Sequence, residues 1–120
     1  MVSLDKAIEI FKAENFDVYM ANQNKVALIY LPEEFQFESR VTTLSFDNYQ
    51  EGRALVAKFK IHSKNRYPKM GFDWDNDMID LNTISEASLA TRVHDLMESA
   101  KMCLKEIKMA KRINSANKDF

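Results

Sequence analysis

The sequence has little of what irregular folds need: in 120 residues there are two glycines, two prolines and one cysteine. So few turn-forming residues argue against a disordered chain, a repeat array or a loop-rich β fold, and they favour long regular elements. A single cysteine excludes an internal disulfide. No apolar run approaches the roughly 18 residues of a membrane span, and no secretory signal pattern opens the chain. We therefore expect a cytoplasmic protein without membrane contact.

Apolar residues make up 46% of the chain, and the net charge is −1. In a chain of this length that apolar content suffices for one hydrophobic core. The charge, however, is unevenly distributed. Residues 1–52 carry nine acids and four bases, residues 53–69 six bases and no acid, and residues 70–120 nine acids and seven bases. Such partition creates local fields that matter for association, whereas the overall basic excess typical of nucleic-acid binders is missing.

The first predicted elements are a short helix and a β-hairpin. Apolar residues at helical spacing predict an amphipathic helix over residues 4 to about 13, with Ser3 as its N-cap. Residues 16–20 and 26–30 carry apolar side chains at alternate positions and flank a polar turn. They predict a hairpin that Pro32 ends.

Three more strands are predicted. The third covers about residues 37–46, where alternation is poor. Residues 55–62 alternate cleanly between apolar and polar side chains and predict the fourth strand. Residues 70–77 place Phe72 and Trp74 on one parity and aspartates on the other, which predicts the fifth.

Antiparallel pairing of the basic fourth strand with the acidic fifth strand would account for the opposite charges of the two strands. One register joins their apolar residues and also their opposite charges, each charge pair contributing roughly 0.2–1 kcal/mol. The pairs expected in it are Phe59 with Trp74, Ile61 with Phe72, Lys60 with Asp73 and Lys58 with Asp75. Unpaired charges are then the expected contacts for a partner. They are Lys64, Arg66 and Lys69, with Tyr67, in the loop, and Asp77 and Asp80 at the acidic end.

The aspartates also suggest a metal site, which we test against known patterns. Asp73, Asp75 and Asp77 have the spacing that opens an EF-hand calcium loop, but Met78 stands at the turn glycine and Ile84 at the bidentate glutamate. For a magnesium nuclease, no lysine and carboxylate motif of the usual spacing accompanies them. The sequence predicts no metal and no cofactor, with a metal-dependent hydrolase kept as a minor alternative.

A capping box, Thr83 with Glu86 three residues on, predicts the start of a long C-terminal helix that reaches at least Ile113. An apolar seam recurs along it at steps of four and three, and it should face the sheet. The seam consists of Leu89, Val93, Leu96, Ala100, Cys103, Ile107 and Ala110. The elements together predict an α+β domain, residues 1–113, with a short N-terminal helix, an antiparallel meander of about five strands and a long C-terminal helix packed on one face. Residues 114–120 are predicted to form a loose tail.

Two other faces of the long helix carry candidate binding residues. A basic stripe consists of Lys101, Lys105, Lys108 and Arg112. It either complements the negative C-terminal end of the helix or contacts phosphates or an acidic partner. Met102, Met109 and Ile113 lie nearly opposite the seam. They predict a homodimer interface or a docking surface, the alternative being cover by the N-terminal helix and the tail.

No catalytic set stands out: Cys103 lies in the apolar seam, and His62 and His94 lack metal-ligand spacing. The favoured hypothesis is a non-enzymatic protein-binding protein that occupies a partner's surface, an inhibitor or adaptor of the kind common among phage and mobile-element proteins. The alternative is a single-stranded nucleic-acid-binding protein that uses the outer sheet face and the basic loop 64–69.

Overall fold

The computed structural model shows an α+β fold with a short N-terminal helix, an antiparallel sheet and a long C-terminal helix, as predicted. It describes residues 2–21, 23, 25–37, 40–45, 53–61, 70–79, 81 and 83–118, and for residues 45, 53–61, 72–79 and 113–118 it describes the backbone alone. The elements are α1 (Leu4–Ala13), β1 (Asp17–Ala21), β2 (Val26–Tyr30), a 3-10 turn (Glu33–Phe35), β3 (Thr42–Ser45), β4 (Arg53–Ile61), β5 (Met70–Ile79) and α2 (Glu86–Lys118).

Helix α1 begins and ends at signals that its sequence carries. Ser3 caps the N-terminus, its side chain accepting a hydrogen bond of 3.1 Å from the backbone N–H three residues on, as predicted. At the other end Asn15 takes the left-handed conformation, with φ 69°. The backbone N–H groups of Asn15 and Phe16 donate to the carbonyls of Lys12 and Phe11. This is a Schellman motif, and the rings of Phe11 and Phe16 close it edge to face, 5.4 Å apart.

Strands β1, β2 and β3 form an antiparallel sheet with β2 in the centre. The first hairpin is therefore confirmed. The third strand is shorter than the predicted residues 37–46. Before it, the chain makes its 3-10 turn and places Gln36 in the left-handed conformation, with φ 52°. Pairing with β2 begins near Val41, whose N–H donates to the carbonyl of Ile29.

Strand β2 is apolar at all five positions, so alternation alone leaves its buried side undecided. In the structure Ala27 and Ile29 are buried, while Val26, Leu28 and Tyr30 are half-buried. Helix α1 packs against β1 and β2, and Ala27 and Ile29 belong to the core that it helps to form. Helix packing, rather than the strand's own pattern, selects the inward side.

Strands β4 and β5 pair antiparallel, but in a register different from the predicted one. The pairs that replace the predicted ones are Phe59 with Phe72, Lys58 with Asp73, Lys60 with Gly71 and Ile61 with Met70. The prediction assumed an unbroken ladder. The observed ladder contains register shifts on either side of Val56. Val56 pairs with Trp74, and a bulge at Ala57 separates this pair from the pair of Lys58 with Asp73. From Lys58 to Ile61, however, the ladder is regular and each partner on β5 stands two positions earlier than predicted, so the error is a uniform shift of two residues. The predicted charge pairs are wrong, and one different Lys–Asp pairing takes their place.

The count of five strands in one meander is not confirmed. Within the described residues the pairings form a three-stranded sheet and a two-stranded ladder, and none joins β3 to β4. Residues 46–52, which connect these two strands, lie outside the described part of the chain. Strand β4 nevertheless lies next to both β3 and α2, so both sets of strands adjoin the helical layer.

Helix α2 begins two residues later than predicted, and Ser85 caps it instead of Thr83. The Ser85 hydroxyl accepts a hydrogen bond from the backbone N–H of Ser88 at 3.1 Å, and its carbonyl accepts one from Leu89. Ile84, just before the cap, and Leu89, at the fourth helical position, both pack in the core, which is the arrangement of a hydrophobic staple. The predicted capping box is therefore wrong, and the cap at Ser85 goes together with the packing of these two apolar side chains in the core.

The apolar seam of α2 is the side that faces the core, as predicted. Its first six members, from Leu89 to Ile107, are buried, and Ala110 is half-buried. They share one core with apolar residues of α1 and of the three-stranded sheet. Met97, which the heptad pattern omits, is buried as well.

Helix α2 runs along the longest dimension of the molecule. Its 33 residues correspond to about 50 Å, and the molecule measures 58 Å along its longest axis against 26 and 22 Å across. Among the residues of α2 whose side chains are described, the last buried seam residue is Ile107, and Ala110 is half-buried. The backbone is helical to Lys118, and the division into a domain, residues 1–113, and a tail stays a prediction. Neither described helix has an apolar stretch of the length that a membrane crossing takes.

Candidate partner-binding groove

A groove with a volume of about 580 Å³ runs along α2 on the side of the basic stripe. One wall is α2 between Met97 and Arg112, a stretch about 22 Å long. The opposite wall is formed by Asn15 at the end of α1 and by the 3-10 turn with the proline before it. The Schellman motif and the turn therefore position this wall, and the seam's burial positions the other.

The floor of the groove is apolar. It is lined by Phe35, Met97, Leu104 and Met109. Phe35 and Met97 are buried, Leu104 is half-buried, and Met109 is 53% exposed. The exposure of this apolar lining thus increases along α2 from Met97 to Met109, and an apolar side chain laid on its exposed part would be removed from water, which is favourable by about 25 cal/mol per Å².

The rim of the groove is basic. It carries the four residues of the predicted stripe, Lys101, Lys105, Lys108 and Arg112, all exposed, and one acid, Glu34. Four bases and one acid give the lining a formal charge of +3. Lys101 lies 3.4 Å from the carboxylate of Glu98, an exposed pair of the kind that contributes roughly 0–1 kcal/mol. The other three bases make no ion pair with any residue that the structure describes.

The basic stripe is not explained by the end of the helix. Favourable interaction with the helix dipole is confined to the last turn. Since α2 continues to Lys118, Arg112 lies more than one turn before that end and Lys101 more than four. The interpretation of the stripe as a complement to the helix terminus therefore weakens, and the structure places its four residues on the groove.

Two other reactive groups on α2, Cys103 and His94, do not line the groove. Cys103 is buried, and desolvation together with the charge of Glu106 raises its pKa to about 11, so at neutral pH it is a thiol and not a nucleophilic thiolate. His94 Nδ1 lies 3.0 Å from Glu14 Oε1 and joins α2 to the end of α1. No group of three or more potential metal ligands occurs among the described residues.

The remaining predicted partner contacts lie where the structure says little. Lys64, Arg66, Tyr67, Lys69 and Asp80 fall outside the described residues, and for Asp77 in β5 only the backbone is described. These contacts stay predictions, as does any metal binding by the aspartates of β5.

The predicted oligomer face is divided by the groove. Met102 is 61% exposed and does not line the groove, whereas Met109 does. For Ile113 only the helical backbone is described. Homodimerisation through these residues stays a prediction, and it would share Met109 with any other occupant of the groove.

Sequence reasoning missed the floor and the far wall. Met97 and Leu104 each follow a seam residue by one position and are seven residues apart, a pattern that indicates a widened apolar face and could have been found. Phe35 and Glu34 carried no such signal, because only the packing of the 3-10 turn places them opposite α2.

Comparison of the chain with protein-family models, with curated proteins and with solved structures found no match. An apolar floor binds apolar side chains, and a rim of +3 attracts negative charge.

Proposed function

We propose that this protein is a non-enzymatic protein-binding protein, which acts by occupying a surface of a partner protein through the groove on α2. The observation that carries the proposal is the combination of an apolar floor with a basic rim. Protein interfaces have an apolar, desolvated centre surrounded by a polar rim. A net charge of +3 on the lining favours a partner whose matching surface is acidic.

The line along which the bases stand supports binding over catalysis. From Lys101 to Arg112 the stripe extends about 16 Å along the helix axis. Catalytic groups must converge on one reacting atom, and small ligands are held by a few converging polar groups. A row of charges is instead suited to an elongated partner surface.

A finer proposal concerns the biological role. We infer an inhibitor or adaptor of the phage or mobile-element type, which blocks or bridges another protein by covering its surface, with a dimer formed through Met102, Met109 and Ile113. The exposure of Met102 and Met109 supports an apolar contact on this face. Because Met109 also lines the groove, a second copy and a partner would compete for it.

Single-stranded nucleic-acid binding is the second candidate, because three rim bases make no ion pair with any described residue and could contact phosphates. Two features of the groove oppose it. Phe35, the aromatic residue among its lining, is buried and offers no face for base stacking. The carboxylate of Glu34 on the rim would repel a phosphate backbone.

The proposal is tested by affinity capture from a cell lysate, with and without nuclease, followed by binding of the purified captured protein. The groove variant is Lys105→Glu with Lys108→Glu. The control variant is Lys25→Glu with Lys111→Glu, which changes the net charge equally at exposed residues outside the groove. We expect nuclease-resistant capture, and binding at least about tenfold weaker for the groove variant alone.

Two results would contradict this function. If the captured protein binds both variants equally, the groove is not the binding surface. If capture disappears with nuclease, and binding to an oligonucleotide falls steeply as salt rises in proportion to the phosphates contacted, the second candidate is favoured instead.

A further inference from the structure

The spacing of the rim bases points to the conformation of the bound segment. We propose that the groove binds an acidic amphipathic α-helix of the partner, which lies along α2 with its apolar face on the floor and its carboxylates on the basic rim. This inference rests on the proposed function and adds the class of ligand. It depends on three features: the period of the rim bases, the spacing of the floor and the sign of the charge.

The rim bases repeat at the pitch of a helix. Lys101, Lys105, Lys108 and Arg112 follow one another at steps of four, three and four residues, or about 6, 4.5 and 6 Å along the axis at 1.5 Å per residue. Their mean separation of about 5.5 Å equals the 5.4 Å pitch at which a second helix repeats its side chains. An extended strand repeats a face every second residue, about 6.8 Å, and would drift from the bases by about 4 Å over three steps.

The floor offers matching apolar contacts. Met97 and Leu104 are seven residues apart on α2 and line the groove with Phe35 opposite them. An amphipathic helix in a groove places anchors at positions i, i+3 or i+4, and i+7, and two such turns cover the distance between Met97 and Leu104. Methionine adapts its shape to the side chains that it contacts, so the exposed Met109 suits an apolar helix face.

The charge selects the flank of that helix. Four bases stand on the α2 rim, whereas the opposite wall contributes one acid, Glu34. A bound helix with carboxylates toward α2 and neutral or basic residues toward Glu34 would satisfy both rims. Apolar anchors flanked by acids on one side thus describe the ligand.

The experiment is a selection from a displayed library of random 16-residue peptides. Peptides are selected on the full-length protein and depleted on the Lys105→Glu, Lys108→Glu variant. We expect the enriched sequences to carry apolar residues with helical period and acids on one flank. The best peptide, made synthetically, should bind at least about tenfold more weakly to the groove variant than to the Lys25→Glu, Lys111→Glu control.

A proline placed at a solvent-facing position in the middle of that peptide separates helix from strand. It leaves the anchors and acids unchanged but is unfavourable in a helix by about 3 kcal/mol, which corresponds to more than about 100-fold weaker binding. An extended peptide would tolerate it. Circular dichroism of the peptide with and without the protein reports the helix directly.

Several outcomes overturn the inference. The selection contradicts it if no peptide is enriched, or if the enriched peptides have an apolar period of two or no excess of acids. A proline variant that binds as tightly as the parent peptide contradicts it as well. Displacement of the peptide by a single-stranded oligonucleotide that binds more tightly, or self-association of the protein that the groove variant abolishes, would make a nucleic acid or a second copy the occupant. If the captured partner still binds through the groove in the lysate experiment, the proposed function stands while the helical ligand is rejected. Failure of both experiments rejects both.

Discussion

Met97 and Met102 stand five positions apart on the same helix, and they differ in almost everything except residue type. Met97 is 1% exposed and packs in the core, whereas Met102 is 61% exposed. Helix propensity is identical for both, so the difference arises entirely from what lies opposite each face. The inner face of α2 meets α1 and β4, and the outer face meets solvent. Apolar residues on the inner face stabilise the fold, and those on the outer face are available to a partner.

The largest effect on stability is expected when the side chains on these two faces are truncated and compared. Met97→Ala should lower the free energy of unfolding by about 2–5 kcal/mol, because it removes buried methylene groups and leaves a cavity. Met102→Ala should change it by less than about 0.5 kcal/mol, as exposed substitutions do. Chemical denaturation of both variants measures the difference. Equal losses would mean that Met102 is covered in solution.

The second effect concerns the buried thiol on the inner face. The pKa of Cys103 rises to about 11 in the folded chain from 9.0 in its ordinary state. Above pH 9 the unfolded chain loses the proton and the folded chain keeps it, so stability should fall as pH rises from 9 to 11, by up to about 3 kcal/mol. Below pH 9 both states are protonated and no change is expected.

The control for the thiol is Cys103→Ala, which lacks the titrating group while lysines and tyrosines still titrate. We compare denaturation curves of the two proteins between pH 7 and 11. The difference between them should be constant up to pH 9 and then shrink. Parallel curves over the whole range would show that the thiol does not gain a raised pKa on folding.

A smaller effect separates the two capping sequences at the start of α2. Ser85→Ala should cost about 1 kcal/mol, because it removes the acceptor for the N–H of Ser88. Thr83→Ala should cost less, since Thr83 precedes the helix by three positions. Thermal unfolding of the two variants gives the order. A larger loss for Thr83→Ala would favour the earlier start that its capping box predicts.

Substitutions on the outer face of α2 should have the smallest effect on stability. Their effect on assembly should be the clearest. The variants Met102→Glu and Met109→Glu should each have a free energy of unfolding within about 0.5 kcal/mol of that of the parent protein. If the helix dimerises through this face, both variants should be monomers in sedimentation. Met109→Glu should also weaken peptide binding in the groove, whereas Met102→Glu should not, because Met102 does not line it. An unchanged mass for a dimeric parent would exclude this interface.

Much of the fold could be predicted because its signals are local. The Ser3 cap, the helix over Leu4–Ala13 and the seam of α2 depend on residues within one or two turns of each other. The register of β4 with β5 was predicted wrongly by two residues, since Phe72 and Trp74 are two positions apart and each gives Phe59 an aromatic partner. No short sequence pattern distinguishes these two registers.

The candidate site was predicted in part. The basic stripe was read from helical spacing alone, and the structure places all four of its residues on one rim. The far wall escaped prediction because Asn15 and Phe35 belong to elements more than 60 residues away in the chain from α2's stripe. Loop 64–69, which the charge pattern favoured, lies outside the described residues.

The sequence by itself determined which segments become helix or strand, where α1 is capped, and which side of α2 carries its apolar seam, because each of these follows from periodicity and from hydrogen bonds between near neighbours. Tertiary structure alone decided that α2 starts after Ser85, that β2 turns Ala27 and Ile29 inward, and that a row of bases on a helix becomes the rim of a groove. The physical reason is that the folded state is most stable in the arrangement that buries the largest total apolar surface. That sum depends on contacts between residues far apart in the chain.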